Sequence, residues 1–354
     1  MSRFLSKKYA SLVPYVPGEQ PRDRSYIKLN TNESPFAPSR RARREASKAL
    51  ARLALYPDPT MKALREEYAA TLGVAPEQLL ATNGSDEILN FAFSAFCDAD
   101  TPAVFPDITY GFYRVFADLY GIPTRVIPLD DELRIRPEEY YNAGGTVFIA
   151  NPNAPTGIAL TLAEVEAIVR ENPDNVVVID EAYVDFGAES AVALVDRYPN
   201  LLVTHTFSKS RSMAGARLGF GIASAELIRD MDAIKYSTNP YNVNGATAAL
   251  GIGTLRDAAY TKKNCETVAA TREYVLGELR ALGFEMTDSM TNFIFAKHPS
   301  VSGDDIYKGL RERGILVRHF STPRICEYNR ITVGSLDEMK ALVEAIKDIL
   351  EAKK

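Results

Sequence analysis

Residues 176–186 read VVVIDEAYVDF. Four successive branched apolar residues, with no polar residue alternating between them, describe a strand covered on both faces. Working outward, the same signature recurs at Ala103–Phe105, Thr124–Ile127, Thr146–Ile149 and Leu201–Thr204, and again at Leu218–Ala223 with glycines at 219 and 221. Helical spacing falls between and before these runs. Met61, Leu64, Tyr68 and Leu72 share one face of a helix that Gly73 should stop, and Leu162–Arg170 reads as another. Thr82–Glu87 opens a helix that Ile88, Leu89, Phe91, Phe93 and Phe96 make apolar nearly all round, so it should be buried. Strands alternating with helices predict an α/β fold whose mostly parallel sheet is wrapped by helices.

The flanks have a different character. Pro14, Pro17 and Pro21 break the first thirty residues into an extended arm that needs another surface to lie on. After residue 240 the chain is helix-rich from Asn244 to Ala281, with Gly251 and Gly253 read as interruptions. Short strands follow at Phe293–Ala296, Ile315–Val317 and Arg330–Val333, beside helices at Gly303–Arg313 and Leu336–Leu350. The expected organisation is an arm at 1–29 belonging to the small domain, a large domain at 30–245, and a small α+β domain at 246–354.

Composition excludes several functions. The 354 residues carry 41 Lys+Arg against 46 Asp+Glu, a formal charge of −5, which disfavours nonspecific nucleic-acid binding. Arg40, Arg41, Arg43 and Arg44 are the local exception, read as the solvated start of a helix running to Leu53. Three widely spaced cysteines and three histidines form neither a disulfide framework nor a multi-histidine metal site. The first twenty residues hold no apolar leader and no 18-residue apolar run occurs, so no membrane partner, no metal and a cytoplasmic location are expected.

The chemistry gathers where strands end. Asp180 closes the run Val176–Ile179, and ligands in open α/β sheets sit at the carboxyl ends of strands. Tyr183, three residues on, can face the same cleft. Lys209 follows another apolar run and sits among small hydroxyls in Thr206-Phe207-Ser208-Lys209-Ser210. A lysine desolvated there loses pKa and becomes a nucleophile toward aldehydes. Arg217, between small neighbours, would form an anion clamp with Ser208. Gly84-Ser85-Asp86 places a helix N-terminus where phosphate is favoured. A Schiff-base lysine, a carboxylate for a pyridinium nitrogen and a phosphate cradle together describe a pyridoxal-phosphate site.

The motifs PYVPGEQP (14–21), LNTNESP (29–35), YPD (56–58), NGSDE (83–87), TYGFY (109–113), NPNAPTG (151–157), DEAYVDF (180–186), FSKSRSMAGARLGF (207–220) and RITVG (330–334) carry a family likeness. The chain resembles the fold-type-I pyridoxal-phosphate aminotransferases, and within them the branch acting on histidinol phosphate. The resemblance implies that Lys209 bonds covalently to pyridoxal 5′-phosphate, that Asp180 pairs with its ring nitrogen and that Tyr183 reaches its ring hydroxyl. It implies that Tyr110 stacks on the ring and that Gly84, Ser85, Asp86, Thr206, Ser208 and Arg217 hold the phosphate end. Tyr56 would reach the phosphate from the other subunit of a homodimer. Arg330 would bind the carboxylate of glutamate or 2-oxoglutarate, with Tyr15, Asn30 and Arg318 near the phosphorylated amine.

One position departs from the family pattern. Ala154 stands where an asparagine usually meets the ring hydroxyl. Either Asn153 substitutes through a shifted loop, or Tyr183 carries that hydrogen bond alone. Three alternatives stay open on the same motifs: an aromatic-amino-acid aminotransferase, a threonine-phosphate decarboxylase, and a binding-only pyridoxal-phosphate protein. His205, just before the lysine motif, reads as a packed strand-end histidine.

Overall fold

The computed structural model describes residues 2–9 and 12–353. Its centre is a seven-stranded sheet in the spatial order Leu79–Thr82, Gly219–Ala223, Leu201–Thr206, Val177–Asp180, Thr146–Ala150, Ala103–Pro106, Thr124–Ile127. Gly219–Ala223 runs antiparallel to both its neighbours, and the other recorded pairings are parallel. Every residue of Val177–Asp180 is buried. Val177 and Ile179 join a cluster with Leu64, Tyr68 and Ile168, while Val178 joins one with Phe91, Phe93 and Phe148 on the other face. That is why the run lacks polar alternation. Burying each such side chain contributes about 1.5–3 kcal/mol before entropy is set against it.

Two sequence expectations need correction. Leu79–Thr82 is a strand that the reading missed, because attention to the Thr82–Glu87 capping signal hid the short run before it. The helix itself starts at Ser85 and ends at Phe96. Gly251 and Gly253 do not interrupt anything: both lie inside the helix Gly245–Leu255, and the break comes at Arg256–Asp257. A Cβ on Gly253 would lie 2.6 Å from Ala42 Cα, and one on Gly251 would lie 2.6 Å from Leu218 Cδ2. These glycines let the helix pack tightly on Arg40–Leu50 and on the sheet, and that close approach outweighs their low helix propensity.

The C-terminal part builds a four-stranded antiparallel sheet in the order Arg318–His319, Asn329–Thr332, Phe293–Lys297, Glu285–Met286. The helices Ala258–Ala281, Gly303–Glu312 and Leu336–Ala352 cover it, with Phe293, Ile294, Leu310, Leu342 and Ile346 in one core. The N-terminal arm joins this part: Ile27–Lys28 pairs in parallel with Ile315–Leu316, and Thr332 N donates to Leu29 O at 2.9 Å. No described helix is long and apolar enough to cross a membrane.

Candidate active site

The carboxyl ends of the parallel strands face a cavity of about 320 Å³. Its wall includes Ser85, Asp86, Tyr110, Asp180, Tyr183, Thr206, Ser208, Lys209 and Arg217. Each is brought there by a strand end or by the turn that follows it.

Asp180 is buried, and its carboxylate accepts from Thr204 Oγ1 at 2.8 Å and from Tyr113 Oη at 3.3 Å. Burial pushes its pKa up to about 6, against the pull of these hydrogen bonds. A carboxylate this poorly solvated favours a cation brought beside it. Lys209 Nζ donates to the Thr31 carbonyl at 3.1 Å and stands 5.9 Å from the centre of the Tyr183 ring. Lys209 forms no ion pair among the described residues, although Glu33 lines the same cavity and feels its charge. Tyr183 Oη accepts from Asn32 Nδ2 at 2.9 Å, which leaves its own hydrogen free to donate.

At the other end of the cavity, Gly84 precedes the helix Ser85–Phe96 and places no side chain over its first N–H groups. Those groups and the helix dipole favour an anion. Arg217 donates to Ser208 Oγ at 3.3 Å and to Asp86 Oδ2 at 3.2 Å. Thr206 Oγ1 donates to Ser208 Oγ at 2.9 Å, and Tyr110 Oη donates to Asp86 Oδ1 at 2.6 Å. Asp86 therefore holds the guanidinium and the tyrosine in place beside the helix start.

The space is shaped by missing side chains. A Cβ on Gly84 would lie 2.5 Å from Arg217 Nη2, and one on Gly219 would lie 2.4 Å from Ser85 N. Gly84 also has φ 84°, which disfavours any L side chain. The donors at one end, the buried acid at the other and the amine between them fit a flat group carrying a phosphate, a basic ring nitrogen and an aldehyde. Gly219→Ala is expected to weaken pyridoxal 5′-phosphate binding by about tenfold or more. The added methyl meets backbone atoms and must displace the helix start, and such overpacking costs about 1–3 kcal/mol. Titration of cofactor absorbance checks this; unchanged affinity would show that the helix start does not touch the phosphate.

A second cavity of about 460 Å³ adjoins the first and shares Thr31, Tyr110, Ala154, Tyr183 and Lys209 with it. Tyr15, Asn30, Arg318 and Arg330 all line it. Arg330 donates to the Asn30 carbonyl at 3.2 Å, while its Nε is buried without a hydrogen-bond partner among the described residues. Burial also pulls its pKa down, so the guanidinium is short of solvation and of acceptors. Tyr15 packs on Phe112 with ring centres 4.5 Å apart.

Tyr56, expected to serve the other subunit, and Asn153 both stand outside the walls of these two cavities. Tyr56 is 81% exposed, stacks on Tyr241 at 4.5 Å and is absent from both cavity walls. Asn153 is buried with its polar atoms spent: Oδ1 accepts from Thr109 Oγ1 at 2.8 Å, and Nδ2 donates to Ile108 O at 3.0 Å and Thr156 Oγ1 at 3.1 Å. Ala154 lines the wall in its place. Of the two readings offered for this loop, the geometry favours Tyr183 without help from Asn153.

Asn32, Tyr113 and Thr204 were not singled out by the sequence. Tyr113 lies three residues from Tyr110 on the same segment, and that spacing could have revealed it. Behind the site, His205 bridges Tyr68 Oη at 2.7 Å and Glu181 Oε2 at 2.8 Å, which makes it the packed strand-end residue expected.

Residues 24–346 match the family described as Aminotransferase class I and II. A histidinol-phosphate aminotransferase of Marinomonas sp. (strain MWYL1) is 50% identical, with 99% of this chain and 100% of the relative covered. Histidinol-phosphate aminotransferase 1 of Pseudomonas aeruginosa is 47% identical over 98% of this chain and 99% of its own length. Among solved structures, histidinol-phosphate aminotransferase from Sinorhizobium meliloti in complex with pyridoxal-5′-phosphate superposes with a TM-score of 0.90. It is 23% identical, with 100% of this chain and 99% of that one covered, and it shares the fold.

Proposed function

The chain belongs to the class I and II aminotransferases, and from that premise we propose that it transfers the amino group of histidinol phosphate to 2-oxoglutarate, a step of histidine biosynthesis. The observation that carries this reading is the single cavity holding Lys209, Asp180, Tyr183 and the Ser85–Arg217 phosphate end, continuous with an arginine-lined annex. Pyridoxal 5′-phosphate, when bound, supplies the electron sink that makes a Cα–H bond of the amine acidic.

The protein's own residues do the rest. The helix start at Gly84-Ser85, with Thr206, Ser208 and Arg217, binds the phosphate. Tyr110 would cover the ring and Tyr183 would donate to its hydroxyl. Asp180 keeps a negative charge at the ring nitrogen. Lys209 Nζ anchors the cofactor. Its free amine would take the proton from the substrate Cα as general base and then deliver it, as general acid, to the cofactor carbon that receives the amino group. Arg330, short of acceptors, takes the carboxylate of 2-oxoglutarate or glutamate. Arg318, Tyr15 and Asn30 line the space for the phosphorylated amine. The exposed Tyr56 reaches a partner's site in a homodimer, which an oligomeric-mass measurement tests. A cytoplasmic location suits an enzyme whose substrates are small metabolites.

Mixing purified, cofactor-loaded protein with histidinol phosphate alone should discharge the visible absorbance in one half-reaction, and adding 2-oxoglutarate should restore it and yield glutamate. A stronger response to phenylalanine would move the protein to aromatic substrates. Loss of carbon dioxide from threonine phosphate would move it to decarboxylation. Absence of any response would leave a binding protein.

A further inference from the structure

The wall of the annex comes from both halves of the molecule, so its width depends on what joins them. Phe320, Thr322 and Ile325, on the loop after the strand Arg318–His319, line the annex together with Asp107 and Ile108 at the end of the strand Ala103–Pro106. Arg324 lies within that loop and reaches across. Its Nη1 donates to Asp107 Oδ2 at 2.8 Å, and its Nη2 donates to the carbonyls of Leu129 at 3.0 Å and Asp130 at 2.8 Å. The acceptors are themselves fixed. Asp107 Oδ1 takes the Leu129 N–H at 2.9 Å, and Asp107 N donates to Ile127 O at 2.9 Å. Beneath the guanidinium, Ile108, Leu129 and Leu133 from the large sheet side form one cluster with Phe295 and Ile325 from the small one.

A surface ion pair alone would contribute little. Arg324 is different because three acceptors converge on one planar fork, and they sit at the ends of two adjacent parallel strands. The strand that leads into this loop also carries Arg318, one of the two arginines of the annex. We propose that Arg324 is a positioning residue: it clasps the 320–325 loop to the large sheet and so sets the width of the annex that receives the phosphorylated amine. Its hydrogen bonds go to Asp107, Leu129 and Asp130, none of which is assigned to the cofactor. The clasp rests on the substrate reading above for the identity of what fills the annex.

The test compares Arg324→Ala and Arg324→Lys with the wild-type holoenzyme in single turnover against histidinol phosphate, alongside cofactor titration and thermal melting. For alanine, the half-saturating substrate concentration should rise about tenfold, the limiting rate should stay within about threefold, and cofactor affinity should hold. Lysine should recover less than half of the loss, since a point charge cannot serve three acceptors held for a fork. Unchanged half-saturation in the alanine variant, beside an active wild type, overturns the clasp alone. So does a rise matched by lost cofactor affinity or a collapsed melting temperature, which marks a merely structural residue. A wild type inert toward histidinol phosphate overturns the substrate reading, and this assignment with it.

Discussion

Lys209→Ala will lose multiple turnover, by about 10⁴-fold or more, while the chain still folds. General acid–base catalysis by one positioned group contributes about 10²–10⁴-fold, and this residue also carries the covalent attachment, so its removal costs both. It is the one lysine among the residues lining the cofactor cavity, so no neighbouring amine can take over the proton. Folding should survive because the side chain makes a single hydrogen bond, to Thr31 O at 3.1 Å, and no ion pair among the described residues. Three measurements check the claim: steady-state glutamate formation, the visible absorbance of the lysine-bound cofactor, and borohydride reduction followed by mass analysis. The wild type should retain cofactor mass after reduction and the variant should not. A small amine added to the buffer should restore part of the rate. If the variant turned over like the wild type, Lys209 would have no part in the chemistry.

Lys209 and Asp180 were legible because each follows a run of apolar residues, and an apolar run announces where a strand ends; Arg217 was legible from its small neighbours, eight residues beyond Lys209. Position at a strand's carboxyl end converts an ordinary charged residue into a candidate. The partners of these residues were not legible, for a physical reason. Asn32 meets Tyr183 across 151 positions of sequence, and Arg324 meets Asp107 across 217. Such contacts are set by how the two halves dock, and no local period encodes docking. Thr204 lies inside an element that was read for hydrophobicity, where a hydroxyl looks like an imperfection, and Tyr113 lies in a helix that the periodicity reading did not pick out. Asn153 shows the converse: a polar residue beside a motif invited a role, yet its amide closes the loop onto Ile108 and Thr156. Gly251 and Gly253 belong to the same lesson, since propensity marked them as breaks while the packing of two helices required them.

Asp180→Asn will act with opposite sign on the cofactor-free chain and on catalysis, and that opposition makes it a sharp test. Burial raises the Asp180 pKa from its ordinary value to about 6 in the folded chain. Between the ordinary carboxylate range and pH 6, the folded state therefore holds more proton than the unfolded one, and stability contributed by this group falls as pH rises. Above pH 6 the ionised carboxylate destabilises the cofactor-free chain by about 3 kcal/mol, two pKa units at 1.36 kcal/mol each. Asparagine removes that charge and can still accept from Thr204 Oγ1. The cofactor-free variant should therefore melt no lower than wild type at pH 8 and show less dependence on pH between 4 and 6. The loaded enzyme should behave the other way. The charge that strains the empty site is what a protonated ring nitrogen requires, and a preorganised charge facing the electron sink carries about 10²–10³ in kcat. kcat should fall by about that factor while cofactor occupancy changes far less. A variant with normal kcat would detach Asp180 from the electron sink. One that lost kcat and cofactor-free stability together would show a damaged fold instead of a missing charge.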